Sequence, residues 1–242
     1  MQYKIYGGNL PVVSITLNDK EKVYSDAGGM AWMSDNIDME TSTRGGLLKG
    51  VGRMFSGESL FLVNFISKGK GEVTFVSEFP GEIKAIKLKK DESIIIQKDS
   101  FLCAEDSVKL EMHLRKKLGT GLFGGEGFIL QKTTGPGTVF LEIDGSVAEY
   151  NLKKNEVLKV DTGHIAMYEE SVSYDLETVK GVKNILFGGE GLFLAKLQGP
   201  GKVILQSMPI RNLANKLIKY MPRPAGGGKG SGINLGNVFE HD

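Results

Sequence analysis

LNDKEKVYSDAGGMAWMSDNIDM (Leu17–Met39), LKKDESIIIQKDSFLCAEDSVKL (Leu88–Leu110) and LKKNEVLKVDTGHIAMYEESVSY (Leu152–Tyr174) align without a gap. Leu17, Leu88 and Leu152 coincide, as do Glu21, Glu92 and Glu156, then Val23, Ile94 and Leu158, and Ile37, Val108 and Val172. Agreement at fixed spacing over so many positions marks an internal repeat rather than a bias of composition.

A second set of matches covers the other half of the unit. GESLFL from Gly57, GEGFIL from Gly125 and GEGLFL from Gly189 each open an apolar run. Each run is followed by a glycine turn and another apolar run: GKGEVTF from Gly69, GPGTVFL from Gly135, GPGKVIL from Gly199. The alternation of Val73 and Phe75, and of Val139 and Leu141, with polar or small residues predicts half-buried strands. Ile94-Ile95-Ile96 predicts a strand covered on both faces. Turn chemistry at Gly135-Pro136-Gly137, Pro80-Gly81, Asp144-Gly145 and Thr162-Gly163 separates the strands.

The expected fold is therefore all-β: three repeated β-sandwich or short double-stranded β-helix units related by a pseudo-threefold axis. Residues 10–40 match only the second half of the unit and 189–206 only its first half. The expected units are thus 57–118, 125–183, and a third assembled from 1–40 plus 189–207, closed into one domain over 1–207. Closure would remove exposed strand edges, whereas a solenoid would need caps. After the third unit, Ile210, Leu213, Ala214, Leu217, Ile218 and Met221 fall on one face, predicting an amphipathic helix over 208–221 with Ser207 as N-cap and Pro209 near N1. The glycine-rich stretch 222–242 reads as a flexible tail.

The bulk numbers narrow the function classes. Thirty basic against 29 acidic residues in 242 give a net charge of +1, which offers no global attraction for nucleic acid. The 33 glycines suit a turn-rich β-protein. Cys103 is the single cysteine, so no intrachain disulfide forms, which fits a reducing compartment. The opening MQYKIYGGNLPVV has neither a basic-then-apolar leader nor an Arg/Ser-rich presequence, and no apolar run approaches the ~18 residues of a membrane span. A cytoplasmic protein is expected.

The triplicated GE-x-x-F/I-L pattern, the stretch METSTRGGLLKGVGRMFSGESLFL (Met39–Leu62) and the closing helix with its glycine tail resemble the altered-inheritance-of-mitochondria (number twenty-four) family, formerly a domain of unknown function. The resemblance covers nearly the whole chain. It implies a fold similar to the tryptophan RNA-binding attenuation protein, three such units acting as a single-chain trimer. It implies no activity. Mitochondrial relatives are associated with inner-membrane organisation.

No constellation specifies a reaction. Gly119-Thr-Gly-Leu-Phe-Gly124 matches G-x-G-x-x-G, but a strand follows it where a nucleotide site needs a helix, so a glycine turn is the better reading. His113, His164 and His241 stand far apart without ligand spacing. Cys103 aligns with Trp32 and Met167, an apolar core position rather than a nucleophile. No cofactor and no metal are expected. The residues worth a test are Glu58, Glu126 and Glu190, which a threefold axis would bring to equivalent places, with Arg44 as a lone partner for an anion or a carboxylate. Arg211, Lys216 and Lys219 make the closing helix basic, so it either packs on the core or meets a membrane or partner.

The expected role is non-enzymatic: an assembly, scaffold or ligand-binding module that forms a homo-oligomer. The alternatives are a peripheral membrane-organisation factor acting through the basic helix, and an enzyme or cation sensor using the repeated glutamates. A protein partner or a membrane surface remain candidates beside the chain itself. RNA is not expected, because the basic clusters (Lys87, Lys89, Lys90; Arg115, Lys116, Lys117) are short and lack interleaved aromatics.

Overall fold

The turns at the aligned glutamates show how the repeat becomes structure. Glu21, Glu92 and Glu156 each turn a carboxylate back onto the amide three residues earlier: Oε2 accepts from the backbone N–H of Asn18, Lys89 and Lys153 at 2.8, 2.7 and 2.8 Å. The residue before each glutamate, Lys20, Asp91 or Asn155, lies in the left-handed region at φ 64°, 63° and 65°. Asp and Asn tolerate that conformation better than Lys does. The glycines of the GPG turns answer a different demand. A Cβ on Gly135 would stand 2.3 Å from the carbonyl oxygen of Lys89, and one on Gly199 2.5 Å from that of Lys153.

The computed structural model describes residues 1–41, 62–116, 128–178, 193–218 and 220. They form strands β1 (Gln2–Tyr6), β2 (Val12–Leu17), β3 (Lys22–Asp26), β4 (Met30–Met33), β5 (Ile37–Thr41), β6 (Leu62–Ser67), β7 (Gly71–Val76), β8 (Gly81–Leu88), β9 (Ser93–Gln97), β10 (Phe101–Glu105) and β11 (Lys109–Lys116). These are followed by β12 (Phe128–Thr134), β13 (Gly137–Asp144), β14 (Val147–Leu152), β15 (Val157–Asp161), β16 (Ile165–Glu169), β17 (Ser173–Thr178), β18 (Phe193–Gln198), β19 (Gly201–Gln206) and helix α1 (Ile210–Ile218).

The ladders are antiparallel. β3 pairs with β6 and β6 with β5; β9 with β12 and β12 with β11; β15 with β18 and β18 with β17. The complementary strands join as β2–β7–β4, β8–β13–β10 and β14–β19–β16. Two further ladders, β3–β10 and β9–β16, fuse these groups into six-stranded sheets ordered β5-β6-β3-β10-β13-β8 and β11-β12-β9-β16-β19-β14. The ladder that would close the series, β4 with β15, is absent among the described residues. A four-stranded sheet β1-β2-β7-β4 and a three-stranded sheet β15-β18-β17 remain.

Three hydrophobic cores lie between the sheets. One is built mainly from Val13, Ile15, Leu17, Val23, Ile37, Phe65, Val73 and Phe75. The second rests on Leu88, Ile94, Ile96, Val108, Leu110, Val139 and Leu141, and the third on Leu152, Val160, Ile165, Val172, Ala195, Leu197 and Val203. Each therefore draws mostly on one consecutive stretch: 12–76, 81–144 or 147–206. This corrects the unit boundaries expected from sequence. A repeat read along a chain gives its period but not its phase; phase is decided by which strands share a core.

Two further expectations change. Val73, Phe75, Val139 and Leu141 do sit in strands, but the residues between them are covered too: Phe140 is 0% exposed because its six-stranded sheet has cores on both sides, and Thr74, in the four-stranded sheet, is 0% exposed with its hydroxyl against that of Ser14. Ile94, Ile95 and Ile96 are buried, as expected of a strand covered on both faces. Helix α1 is shorter than the expected 208–221. Its first N–H, on Ile210, is taken by Asp144 Oδ2 at 2.9 Å, while the Ser207 hydroxyl accepts instead from the Ser146 amide at 2.8 Å.

Candidate functional site

The chain ends two strands and begins a third on the same side of one sheet. β3 finishes at Asp26, β13 finishes at Asp144, and β10, which lies between them, starts just after the 3-10 turn Lys98–Ser100. Strand ends present side chains and loops to solvent, so the polar residues gather here. A cleft of about 230 Å³ opens among Asp26, Glu78, Lys98, Asp99, Glu142 and Asp144, and Ile210 at the start of α1 lies on its wall.

Burial governs the charges of this cleft. Glu142 Oε2 accepts from the Ser77 hydroxyl at 3.0 Å and from the Glu78 amide at 3.2 Å. Those bonds favour the carboxylate, yet desolvation outweighs them, and with Asp144 and Glu78 nearby the carboxyl is pushed up to about 7. Asp26 is pushed up to about 6 by burial, with Lys98 opposing and Asp99 adding to the rise. Asp144 is raised by burial too, against the hydrogen bond from Ile210, and again Asp99 adds to it. Asp99 itself accepts from Gln97 Nε2 at 2.8 Å. Two carboxyls of the cleft, on Glu142 and Asp26, thus take up protons near neutrality, beside the root of a helix.

A second set of contacts holds the same helix. Arg211 Nη2 lies 3.4 Å from Asp161 Oδ1, which also accepts from the Gly163 amide at 3.0 Å. The arginine is only one-fifth exposed, and burial lowers its pKa against the pull of Asp161. His164 Nδ1 is 2.8 Å from the carbonyl oxygen of Gln206, so Nδ1 must donate; Nε2, 3.3 Å from the Asn212 amide nitrogen, then accepts. Gln206 Nε2 completes the set by donating to the Gly163 carbonyl at 2.9 Å.

These positions revise the sequence reading of the site. Arg211, read from sequence as either packing on the core or meeting a membrane or partner, is one-fifth exposed beside Asp161. Lys216 is exposed on α1. Glu58, Glu126, Glu190, Arg44 and Lys219 lie outside the described residues, as does the Gly119–Gly124 motif. Cys103 is fully buried, and burial raises its thiol well above the ordinary range, which leaves it inert. Among the described residues no group of three or more His, Cys, Asp or Glu is placed to hold a metal ion. No helix among them is long and apolar enough to cross a membrane.

The carboxyls of the cleft escaped the sequence reading. One signal existed: Asp26, Gln97 and Asp161 occupy the same aligned position, polar in all three segments, at the end of an apolar strand. Glu142 and Asp144 carried none, because their partners lie 64 to 66 residues away.

The apolar surface is concentrated at the free ends of the fold. Trp32 on β4 is 50% exposed, although its aligned counterparts Cys103 and Met167 are 0% and 2% exposed. Tyr3, Ile5 and Tyr6 on β1 are exposed on the same sheet. On α1, Ile210 and Leu217 are 47% and 53% exposed, with Met208 and Tyr220 flanking them.

Residues 3–208 match the family described as Mitochondrial biogenesis AIM24. The chain belongs to that family. A relative from Streptococcus pyogenes serotype M6, described as an uncharacterized protein, is 29% identical over 220 residues, covering 88% of this chain and 87% of the relative. A crystal structure of a Streptococcus pyogenes protein from a structural-genomics consortium superposes with a TM-score of 0.76 at 27% identity, covering 91% of this chain and 99% of that one. The fold of this AIM24 chain is thus similar over nearly its whole length to a solved structure.

Proposed function

We propose that this protein is a non-enzymatic assembly module of the cytoplasm, built from three units resembling the tryptophan RNA-binding attenuation protein and acting as a homo-oligomer. One observation carries the reading. The sheet β1-β2-β7-β4 leaves large apolar residues uncovered on both its edge strands, Tyr3, Ile5 and Tyr6 on one and Trp32 on the other. Apolar groups gathered on unpaired strand edges are sites of association, because burial and new ladder bonds stabilise the contact together. The cleft supports the same class. Two of its carboxyls, on Glu142 and Asp144, are bound to backbone amides and a hydroxyl, an arrangement that holds helix and strands together. Native mass spectrometry tests the reading: a clean multiple of 26.3 kDa supports it, and a monomer at every concentration sinks it.

A second reading rests on α1. Ile210, Ala214 and Leu217 lie on an exposed stripe beside Lys216, the pattern of a helix that lies on an anionic lipid surface. Co-flotation with anionic vesicles, lost on deleting 208–242, would support it; unchanged flotation after the deletion would remove it.

A further inference from the structure

The three aligned segments place a polar residue at the end of an apolar strand in each repeat: Asp26, Gln97 and Asp161. In the third repeat that position already holds a guanidinium. Arg211, carried there by α1, sets Nη2 3.4 Å from Asp161 Oδ1 with only one-fifth of its side chain exposed. Asp26 occupies the equivalent place in the first repeat, and there it lines the cleft.

The cleft is rich in acceptors and poor in cations. Asp26, Glu78, Asp99, Glu142 and Asp144 line it with one base, Lys98. Lys98 opposes the rise of the Asp26 carboxyl without cancelling it, so burial still leaves that group at about 6 and Glu142 at about 7. Gln97 adds a further acceptor. It is 6% exposed and turns its amide to Asp99, with Nε2 donating to Oδ2 at 2.8 Å. Its Oε1, on the same carbon, has no hydrogen-bond partner among the described residues. A buried acceptor without a donor carries a cost that a bound donor removes.

Size and spacing narrow the ligand. Among the described residues no three carboxyls are placed to hold one metal ion. The volume of about 230 Å³ is below the ~300 Å³ at which pockets for drug-sized molecules begin, so a group the size of a side chain suits it. Val76 and Phe79 form an apolar wall, against which methylenes or a flat cation can lie. A guanidinium matches this lining: it has five N–H donors and no acceptor, stays charged, and is planar.

We propose that the cleft at the root of α1 binds a guanidinium group, with the Asp26 and Glu142 carboxylates as its charge partners and Val76 and Phe79 against its methylene arm. Glu142 keeps Oε2 on Ser77 and Glu78 and offers Oε1 to the ligand. The group belongs to an arginine side chain of a partner or to a small guanidine; the recognition chemistry is common to both. The assembly reading rests on the strand edges, so either can fail alone.

Calorimetric titration of the full chain tests the site with two probes, agmatine and an end-blocked Gly-Arg-Gly peptide. The matching citrulline peptide is the uncharged control. At about pH 8 at least one probe is expected to bind, and citrulline at least about tenfold more weakly, the factor for a lost charge-assisted bond. Asp26→Asn and Glu142→Gln keep shape and remove charge, and each is expected to weaken binding by a similar factor. A third readout needs no variant. The bound cation favours ionised carboxyls, so binding should expel protons and tighten as pH rises from about 6 to about 8. Tighter binding of the peptide assigns the group to a partner chain, and tighter binding of agmatine assigns it to a small molecule. Failure of both probes to bind overturns the proposal, as does equal binding of the citrulline peptide. Full binding by the folded double variant, or binding by the natural protein without proton release, places the ligand elsewhere and overturns it too.

Discussion

Asp144, the last residue of β13, accepts the backbone N–H of Ile210, the first residue of α1, at 2.9 Å. A helix leaves its first amides without intrahelical partners, and a carboxylate there also meets the positive end of the helix dipole. The strand thereby sets where the helix begins, from 66 residues away.

Replacing Asp144 by Ala is accordingly expected to fray α1 with little effect on the sheets. The cost is about 1 kcal/mol, the usual value for a lost N-cap. Hydrogen exchange checks it: amides in 210–218 should lose protection while those of β12 and β19 keep theirs. Equal loss across the protein would show that Asp144 does something other than cap the helix.

Glu142 gives a pH test whose sign follows from its environment. In the unfolded chain its carboxyl titrates near the ordinary value of 4.5, and in the folded protein near about 7. The folded state binds this proton more tightly, so the charged form costs stability above about pH 7. That cost fades as pH falls and is gone below about 4.5. Asp26, pushed up to about 6, acts in the same direction over a lower window. Glu142→Gln keeps an acceptor for Ser77 and Glu78 and carries no charge. It should stabilise the protein by on the order of 1–3 kcal/mol at about pH 8 and by nearly nothing at about pH 4.5. Urea unfolding at the two pH values decides the matter, and a pH-independent difference would contradict the burial argument.

Those carboxyls also mark where sequence reading reached its limit. Glu21, Glu92 and Glu156 were legible because turn, partner and repeat are all local, within four residues. Ile94-Ile95-Ile96 was legible because an unbroken apolar run has one good explanation in a β-protein. Val73 and Val139 were misread as half-buried. Alternation reports polarity, and Thr74 answers to it while lying fully buried, its hydroxyl 2.8 Å from that of Ser14. Ser207 looked like a cap because caps are sought next to their helix, and Asp144 is not. The phase of the units could not be read at all, since cyclic shifts of a repeat look alike along the chain.

The turn glutamates themselves should matter modestly and alike. Each carboxylate satisfies an amide at a surface turn, so Glu92→Ala and Glu156→Ala should each cost about 0.5–1.5 kcal/mol, the net value of a hydrogen bond. The two sites belong to different cores, so the double variant should be additive within about 0.5 kcal/mol. Thermal or urea denaturation of the three variants measures this. A cost well beyond that range at either site would mean that the turn controls register and not only its own amide.

Gln131 is the reverse case, a polar group whose removal should help. It lies in β12, is 0% exposed, and neither its amide nitrogen nor its amide oxygen has a hydrogen-bond partner among the described residues. A buried amide without partners carries its full desolvation cost, about 1–3 kcal/mol on mutational scales. The aligned positions are occupied by Val63 and Ala195, so the fold accepts an apolar side chain there. Gln131→Met conserves most of the volume and removes both polar atoms, and it should raise the urea midpoint without changing the slope of the transition. A fall in the midpoint would instead reveal that Gln131 is satisfied in solution, by a buried water held against β12, and that its amide belongs to the structure of the core.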